Sequence, residues 1–199
     1  ISSFLKINPK PIEVTANPQQ KVYGYSDPVL DYVITAGELL EGDELSGGLE
    51  RETGEDVDEY EIGIGDLFNK NYAITFISDY LTIVPRPITI KAVSNSKIYG
   101  EADPVIAYDV IVGELAFDDK LSGRFEREDG EDIGFYEIYQ GQVDEERNPN
   151  YEIEFIFDSL VKFEIKERPI TVTADRIVKT YGDIDPELTY QITQGSLAF

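Results

Sequence analysis

Lys97-Ile98-Tyr99-Gly100-Glu101-Ala102-Asp103-Pro104 is written into this chain three times. The first copy is Lys21-Val22-Tyr23-Gly24-Tyr25-Ser26-Asp27-Pro28 and the third is Lys179-Thr180-Tyr181-Gly182-Asp183-Ile184-Asp185-Pro186. A Lys-x-Tyr-Gly-x-x-Asp-Pro frame returning after 76 and then 82 residues (21 to 97, 97 to 179) marks an internal repeat. Gly frees its φ and Pro fixes its own, so the frame predicts a turn.

The segments around the frame repeat with it. Upstream, Ile12, Val14 and Ala16 alternate with Glu13 and Thr15, and Ile88, Ile90, Ala92 and Ile170, Val172, Ala174 do the same. A period of two predicts a half-buried strand. Downstream, Leu30, Tyr32 and Ile34 recur as Ile106, Tyr108, Val110 and as Leu188, Tyr190, Ile192, predicting a second strand. Further strands are expected from Leu49 and Phe125, over Tyr60–Ile64 and Tyr136–Ile138, over 71–76 and 150–155, and over 81–84 and 163–165. Acidic turns, Glu50-Arg51-Glu52-Thr53-Gly54-Glu55-Asp56 and Glu126-Arg127-Glu128-Asp129-Gly130-Glu131-Asp132, separate the third strand from the fourth. The second repeat gains three residues near Asp144–Arg147 and three more near Ile156–Lys162.

This pattern divides the chain into residues 1–8, the closing strand of a preceding repeat; 9–84, repeat 1; 85–167, repeat 2; and 168–199, the start of a truncated repeat 3. Six or seven short strands per repeat with no sustained helical period predict an all-β chain of tandem small antiparallel sandwiches. Asp132-Ile133-Gly134-Phe135-Tyr136 resembles the tyrosine corner of immunoglobulin-like domains, though repeat 1 has Asp58 where Gly134 stands. A β-grasp, with a short helix near Leu39–Leu45, is the alternative. The joint Pro85-Arg86-Pro87 holds no Gly or Ser, so an extended, semi-rigid link and an elongated monomeric rod are expected. Any self-association is expected through the incomplete repeats at the two ends, whose apolar faces lack an opposite sheet.

Composition narrows the function. With 17 Lys and Arg against 40 Asp and Glu the formal charge is −23, unsuited to nucleic acid or an anionic membrane surface. There is no His and no Cys, which excludes Ser-His-Asp and Cys-His chemistry, His or thiolate metal sites, and disulfides. No glycine-rich phosphate cradle is present. Carboxylate pairs leave an acidic-residue glycosidase open by residue type alone. The acids, however, fall at turns and on solvent-facing strand positions, as charge runs usually do. No catalytic, cofactor or metal residue is expected, and folding is expected to need no metal.

Three recurrences suggest binding or modification, each with a structural counter-reading. Tyr23, Tyr99 and Tyr181 could stack on sugar rings, or could pack half-buried with the hydroxyl on the backbone. The Asp-Pro acids could hold Ca²⁺ at a junction, or could simply cap a turn. Lys21 and Lys97 with Asn71 and Asn150 recur as a self-formed amide crosslink requires, or are an exposed Lys and a turn Asn.

The frame, with the later Leu-Ser-Gly, Asn-Tyr-x-Ile and Leu-Thr-Ile segments, resembles the MBG domains of the "YGX type", repeats of large bacterial surface proteins. The resemblance spans nearly the whole chain. It implies a secreted, cell-surface adhesin or its rigid stalk, and host mucin glycans or extracellular proteins as partners. It carries over no catalytic motif and no ligand-binding residue.

Overall fold

The computed structural model describes residues 4–199 and is all-β, with no helix. Repeat 1 holds seven strands: β1 (Lys10–Ala16), β2 (Gln19–Val22), β3 (Tyr32–Ala36), β4 (Glu50–Arg51), β5 (Glu59–Gly63), β6 (Tyr72–Ile77) and β7 (Asp79–Val84). Repeat 2 matches them with β8 (Arg86–Ala92), β9 (Asn95–Ile98), β10 (Tyr108–Val112), β11 (Glu126–Arg127), β12 (Gly134–Tyr139), β13 (Tyr151–Phe155) and β14 (Lys162–Lys166). Each repeat builds a three-stranded sheet, β3-β1-β6 or β10-β8-β13, and a four-stranded one, β4-β5-β7-β2 or β11-β12-β14-β9.

The sheets are mixed, which corrects the antiparallel expectation. β1 runs parallel to β6, and β2 parallel to β7. The reason lies in chain direction. β1 passes into β2 across Asn17-Pro18, and β6 into β7 across Ser78, so two long segments switch sheets side by side, as strands do at sandwich corners. Lys10 faces Tyr72 and Val22 faces Val84, so one offset of 62 residues (72 less 10, 84 less 22) runs through both sheets. In repeat 2 the second insertion occupies the passage from β13 to β14, outside the strands.

Three further expectations change. Leu39–Leu45 forms turns and not a helix, so the β-grasp alternative is not what the chain adopts. Lys21-Val22 and Lys97-Ile98, read as part of a loop, are strand residues in β2 and β9. Residues 4–8 form no strand, and Phe4, Leu5 and Ile7 stand exposed. The closing strands β7 and β14 take both neighbours from their own repeats, β2 and β5 for β7, β9 and β12 for β14. The first three residues of the expected 1–8 strand lie outside the described residues.

The period-two residues do form the core. Ile12, Val14 and Ala16 of β1 are buried. Ile12 and Val14 pack with Leu67 and Tyr72, Ala16 with Ile62 and Leu81, and Leu49 and Phe76 touch both groups. Val14, Ile62 and Leu81 are fully enclosed, each worth about 1.5–3 kcal/mol of hydrophobic stabilisation. The tyrosine corner is present in both repeats. Tyr60 donates to the Asp56 carbonyl at 3.0 Å and Tyr136 to that of Asp132 at 2.7 Å, so Asp58 does not disturb it.

By compactness the chain divides into two units. Unit 1 holds the residues up to Ile88 with Gly113–Lys120 and Asn148–Ile153; unit 2 holds Thr89–Val112, Leu121–Arg147 and Glu154–Phe199. Three pieces of sequence repeat 2, residues 85–88, 113–120 and 148–153, thus belong to the same unit as repeat 1. Unit 2 also contains the antiparallel hairpin of β15 (Thr171–Ala174) and β16 (Tyr190–Gln194), where Ile170, Val172, Leu188 and Tyr190 remain exposed.

Candidate functional site

The Tyr-Gly turn has one backbone form in all three copies. The Tyr25 amide bonds the Val22 carbonyl at 3.0 Å, Glu101 bonds Ile98 at 3.0 Å, and Asp183 bonds Thr180 at 3.1 Å. Gly24, Gly100 and Gly182 sit third in these four-residue turns with φ of 79°, 82° and 93°. Positive φ at that position is what a type II turn demands.

In unit 1 the turn is covered. The Tyr23 ring meets Phe117 edge-on at 5.6 Å and Tyr151 edge-on at 5.5 Å. Its hydroxyl donates to Asp119 Oδ2 at 2.9 Å, and the Tyr151 hydroxyl donates to the same oxygen at 2.6 Å. Burial, then the Asp119 carboxylate, pushes the Tyr23 phenol up to about 12. Tyr151 is raised for the same two reasons. The Ala116 amide donates to the Tyr151 hydroxyl at 2.9 Å, which fixes the Ala116–Asp119 loop above the turn. A Cβ added to Gly24 would lie 2.5 Å from Ala116 Cβ, so glycine is required there by packing as well as by φ. Phe117 is held at φ 51°, a left-handed conformation that costs a non-glycine residue roughly 1–2 kcal/mol.

Arg86, from the Pro-Arg-Pro link, closes the assembly. It is buried, donates to the Tyr23 carbonyl at 3.4 Å and to Glu114 Oε1 at 2.7 Å, and stacks 5.0 Å over the Tyr25 ring. Asn150 completes it, donating to Asp56 Oδ1 at 2.8 Å and accepting from the Val57 amide at 2.9 Å.

Unit 2 repeats part of this. Tyr99 meets Phe199 edge-on at 6.0 Å, Arg168 donates to the Tyr99 carbonyl at 3.1 Å, and Gly100 lies equally close against Ala198. Phe199, Ala198 and Arg168 occupy the sequence positions of Phe117, Ala116 and Arg86 in the following repeat. The third turn is bare: Tyr181 is fully exposed, and nothing comes within 4 Å of a Cβ added to Gly182.

The expected sugar-stacking role therefore does not fit Tyr23, whose ring and hydroxyl are both engaged. Tyr99 is half-buried, and only Tyr181 is open. Sequence reading missed Ala116, Phe117, Asp119, Asn150 and Tyr151 as partners of the turn. It saw the prolines around Arg86 but not the guanidinium. The one available signal was that Leu-Ala-Phe recurs at 115–117 and 197–199.

The Lys and Asp of the frame form a second construction. Lys21 Nζ lies 2.5 Å from both Asp27 and Glu55, and Arg51 bonds the same two acids at 2.7 and 2.6 Å. Lys97, Asp103, Arg127 and Glu131 repeat it at 2.5–2.7 Å. Arg51 and Arg127 also donate to the Gly54 and Gly130 carbonyls and lie 5.1 Å over the Tyr60 and Tyr136 rings. The acidic turns are thus wrapped around an arginine, and four of their and the frame's acids are not merely solvated. Nor are the lysines exposed: both side chains are almost fully buried.

This geometry bears on the crosslink. Lys21 and Lys97 face carboxylates, whereas the Asn150 carboxamide is engaged by Asp56 and Val57. Burial draws Lys21 down, but Asp27 and Glu55 more than reverse this and raise it. The Arg51 bonds, opposed by burial and aided by Lys21, hold Asp27 down at about 2. Amide formation needs a neutral amine and an un-ionised acid; this site keeps both charged. Among the described residues no group of three or more acids is placed to hold a metal ion, and Asp27 and Asp103 face cations instead.

The profile of the MBG domain (YGX type) matches residues 12–82 and 88–160. The chain belongs to this family. No curated protein and no solved structure matches it. MBG domains are not an enzyme family, and the Tyr-Gly of the family's own description is the turn built here.

Proposed function

We propose that this chain is a spacer region of a secreted bacterial cell-surface protein, and that its MBG repeats serve to space and orient an adhesive part. MBG repeats are typical of surface-associated bacterial proteins, which supports the location. One observation carries the mechanical part of the reading. The aromatic residue of the repeated frame is turned toward a segment of the following repeat in two of three copies, Tyr23 onto Phe117 and Tyr151, Tyr99 onto Phe199. A residue used this way couples neighbours, and at Tyr23 both ring and hydroxyl are taken. Arg86 and Arg168 bond the tyrosine carbonyls, so the link between repeats is tied down as well. Small-angle scattering tests it. A compact chain of this length has a radius of gyration of about 16 Å. The spacer reading expects a clearly larger value, and a compact value overturns it.

A second reading rests on a different feature. Repeat 2 carries an exposed stacked pair, Tyr139 and Phe157, with centroids 6.3 Å apart and planes 11° apart. Repeat 1 has Gly63 at the position of Tyr139 and lacks the three residues that repeat 2 gains near Ile156–Lys162. Exposed aromatic faces suit sugar rings, so host mucin glycans are the ligand to try. Binding on a glycan array that is lost in Y139A/F157A would favour this reading over a pure spacer.

A further inference from the structure

The outer face of the β11-β12-β14-β9 sheet differs from its counterpart in repeat 1 where it meets solvent. Ile138 of β12 is buried, and Phe135, Glu137 and Tyr139 stand on the opposite side of the strand. Phe135 is 69% exposed. It lies opposite Glu164 of β14, Glu137 lies opposite Lys162, and Ser96 of β9 lies on the other side of Glu164. In repeat 1 the same register sets Glu59 opposite Thr82 and Glu61 opposite Tyr80, with Gly63 next along the face. The sheet forms with either set of residues, so the exposed rings of repeat 2 are not there for the fold. Grouped apolar side chains left in water mark a contact surface.

The 156–161 segment turns this face into a groove. The Leu160 amide donates to Asp158 Oδ1 and the Val161 amide to the Asp158 carbonyl, each at 2.9 Å. Lys91 holds the same aspartate at 2.6 Å, and the Lys162 amide donates to Ser94 Oγ at 3.2 Å. Leu160 is therefore displayed by a turn that is tied down. With Phe135 it walls a cavity of about 380 Å³ whose polar lining includes Ser96, Lys162, Glu164 and Lys166. The stacked Tyr139 and Phe157 continue the apolar surface along β12. Four residues of strand separate Phe135 from Tyr139, about 13–14 Å. That length suits an oligosaccharide and exceeds a single sugar ring. All of these residues belong to unit 2.

Charge narrows the ligand. Glu137 pairs with Lys162, Glu164 with Lys166 at 3.6 Å, and Asp158 with Lys91. Repeat 1 has Tyr80 and Val84 at the places of Lys162 and Lys166. In a chain of −23, these acids are balanced by cations that repeat 1 lacks there. Paired ammonium and carboxylate groups offer donors and acceptors without net charge. Glu126, opposite Tyr139 on the edge strand, is exposed and adds a further acceptor. Ring faces and a few placed polar groups, with no excess of positive charge, match an uncharged polyol and give an acidic sugar no partner. A second copy is a poor occupant, since two chains of −23 repel.

We propose that the Phe135–Leu160 groove and the Tyr139–Phe157 pair form one site for an uncharged oligosaccharide lying along β12, present in repeat 2 and absent from repeat 1. The proposal rests on the second reading above, that the stacked pair meets sugar, and adds to it the groove, the length and the charge of the ligand.

An array of neutral, sialylated and sulfated oligosaccharides, probed with the whole chain, tests it, followed by calorimetric titration of the best neutral binder. Neutral oligosaccharides should bind with a Kd of about 1 mM or tighter, and single sugars at least about tenfold more weakly. Raising NaCl from about 0.05 M to about 0.5 M should change Kd by less than about twofold, because no net charge is neutralised. Phe135→Glu installs the residue that repeat 1 carries at that place, and should weaken binding at least about tenfold with thermal unfolding unchanged. Leu160→Ala only shortens an exposed side chain, and should weaken binding about threefold or more even if Phe135→Glu proves unstable. Full binding in Leu160→Ala, or no retention of any neutral oligosaccharide, overturns the proposal. Retention of sialylated or sulfated chains alone refutes the charge argument. If Y139A/F157A abolishes binding while Phe135→Glu and Leu160→Ala keep it, the stacked pair meets sugar and the groove is no part of the site. Self-association in sedimentation that Phe135→Glu abolishes would give the face to a second copy and refute the sugar site.

Discussion

Replacing the turn glycines one at a time separates backbone strain from packing. Gly24 and Gly182 have φ of 79° and 93°, so alanine meets a similar backbone penalty at both, roughly 1–2 kcal/mol. At Gly182 that is the whole cost, because a Cβ meets nothing within 4 Å. At Gly24 the Cβ would stand 2.5 Å from Ala116 Cβ and 3.1 Å from Arg86 Nη1, where carbon atoms prefer about 3.5–4.0 Å. Ala116 cannot rotate away, since its side chain is a single carbon and its amide is bonded to Tyr151. The loop must move as a body, and overpacking of this kind adds about 1–3 kcal/mol. Gly24→Ala should therefore cost roughly 2–5 kcal/mol and Gly182→Ala about 1–2. Denaturant unfolding followed by circular dichroism measures the first quantity, and hydrogen exchange at the Ala116 amide reports whether the loop has lifted. Equal losses for the two variants, with Ala116 still protected in Gly24→Ala, would refute the close approach and with it the coupling role.

Two other outcomes follow from the ion clusters. Asp27, Glu55, Asp103 and Glu131 all have lowered pKa values through bonds to arginine and lysine, so their contribution is present above about pH 4 and is lost as pH falls. For Asp27, lowered from 3.8 to about 2 and 38% exposed, screening leaves about 1 kcal/mol. Because acid also relieves the repulsion of a −23 chain, the quantity to measure is wild type minus Asp27→Asn, which should shrink below about pH 4 and close near pH 2. The same clusters keep Lys21 and Lys97 charged, so the intact mass should equal the sequence mass; a loss of one ammonia or one water per repeat would show an amide bond and reverse the charge argument.

Much of the fold was legible because it is local and repeated. The alternation at Ile12, Val14 and Ala16 reports one buried face, and burial follows. The Tyr-Gly turn could be read because positive φ is a property of glycine itself. The corner at Tyr136 could be read because it closes within five residues, whereas Asp58 masked its twin at Tyr60, where the same bond forms. Pairing direction was not legible: a period of two says which face a strand buries, not which strand lies beside it or how that strand runs. Only the side-by-side passage of β1–β2 and β6–β7 from one sheet to the other makes those pairs parallel. The short edge strands β2 and β9 were hidden for a related reason, since their order comes from β7 and β14 and not from an apolar pattern of their own. The partners of Tyr23 lay furthest out of reach. Ala116, Asp119 and Tyr151 come from two segments of the next repeat, and no local rule links an alanine in one repeat to a glycine in another. The order of residues alone shows that a glycine, a tyrosine and a lysine return in register. That the glycine admits an alanine, the tyrosine an aspartate and the lysine two carboxylates was decided by the tertiary structure, because close packing and ion pairing depend on distances that only the folded chain creates.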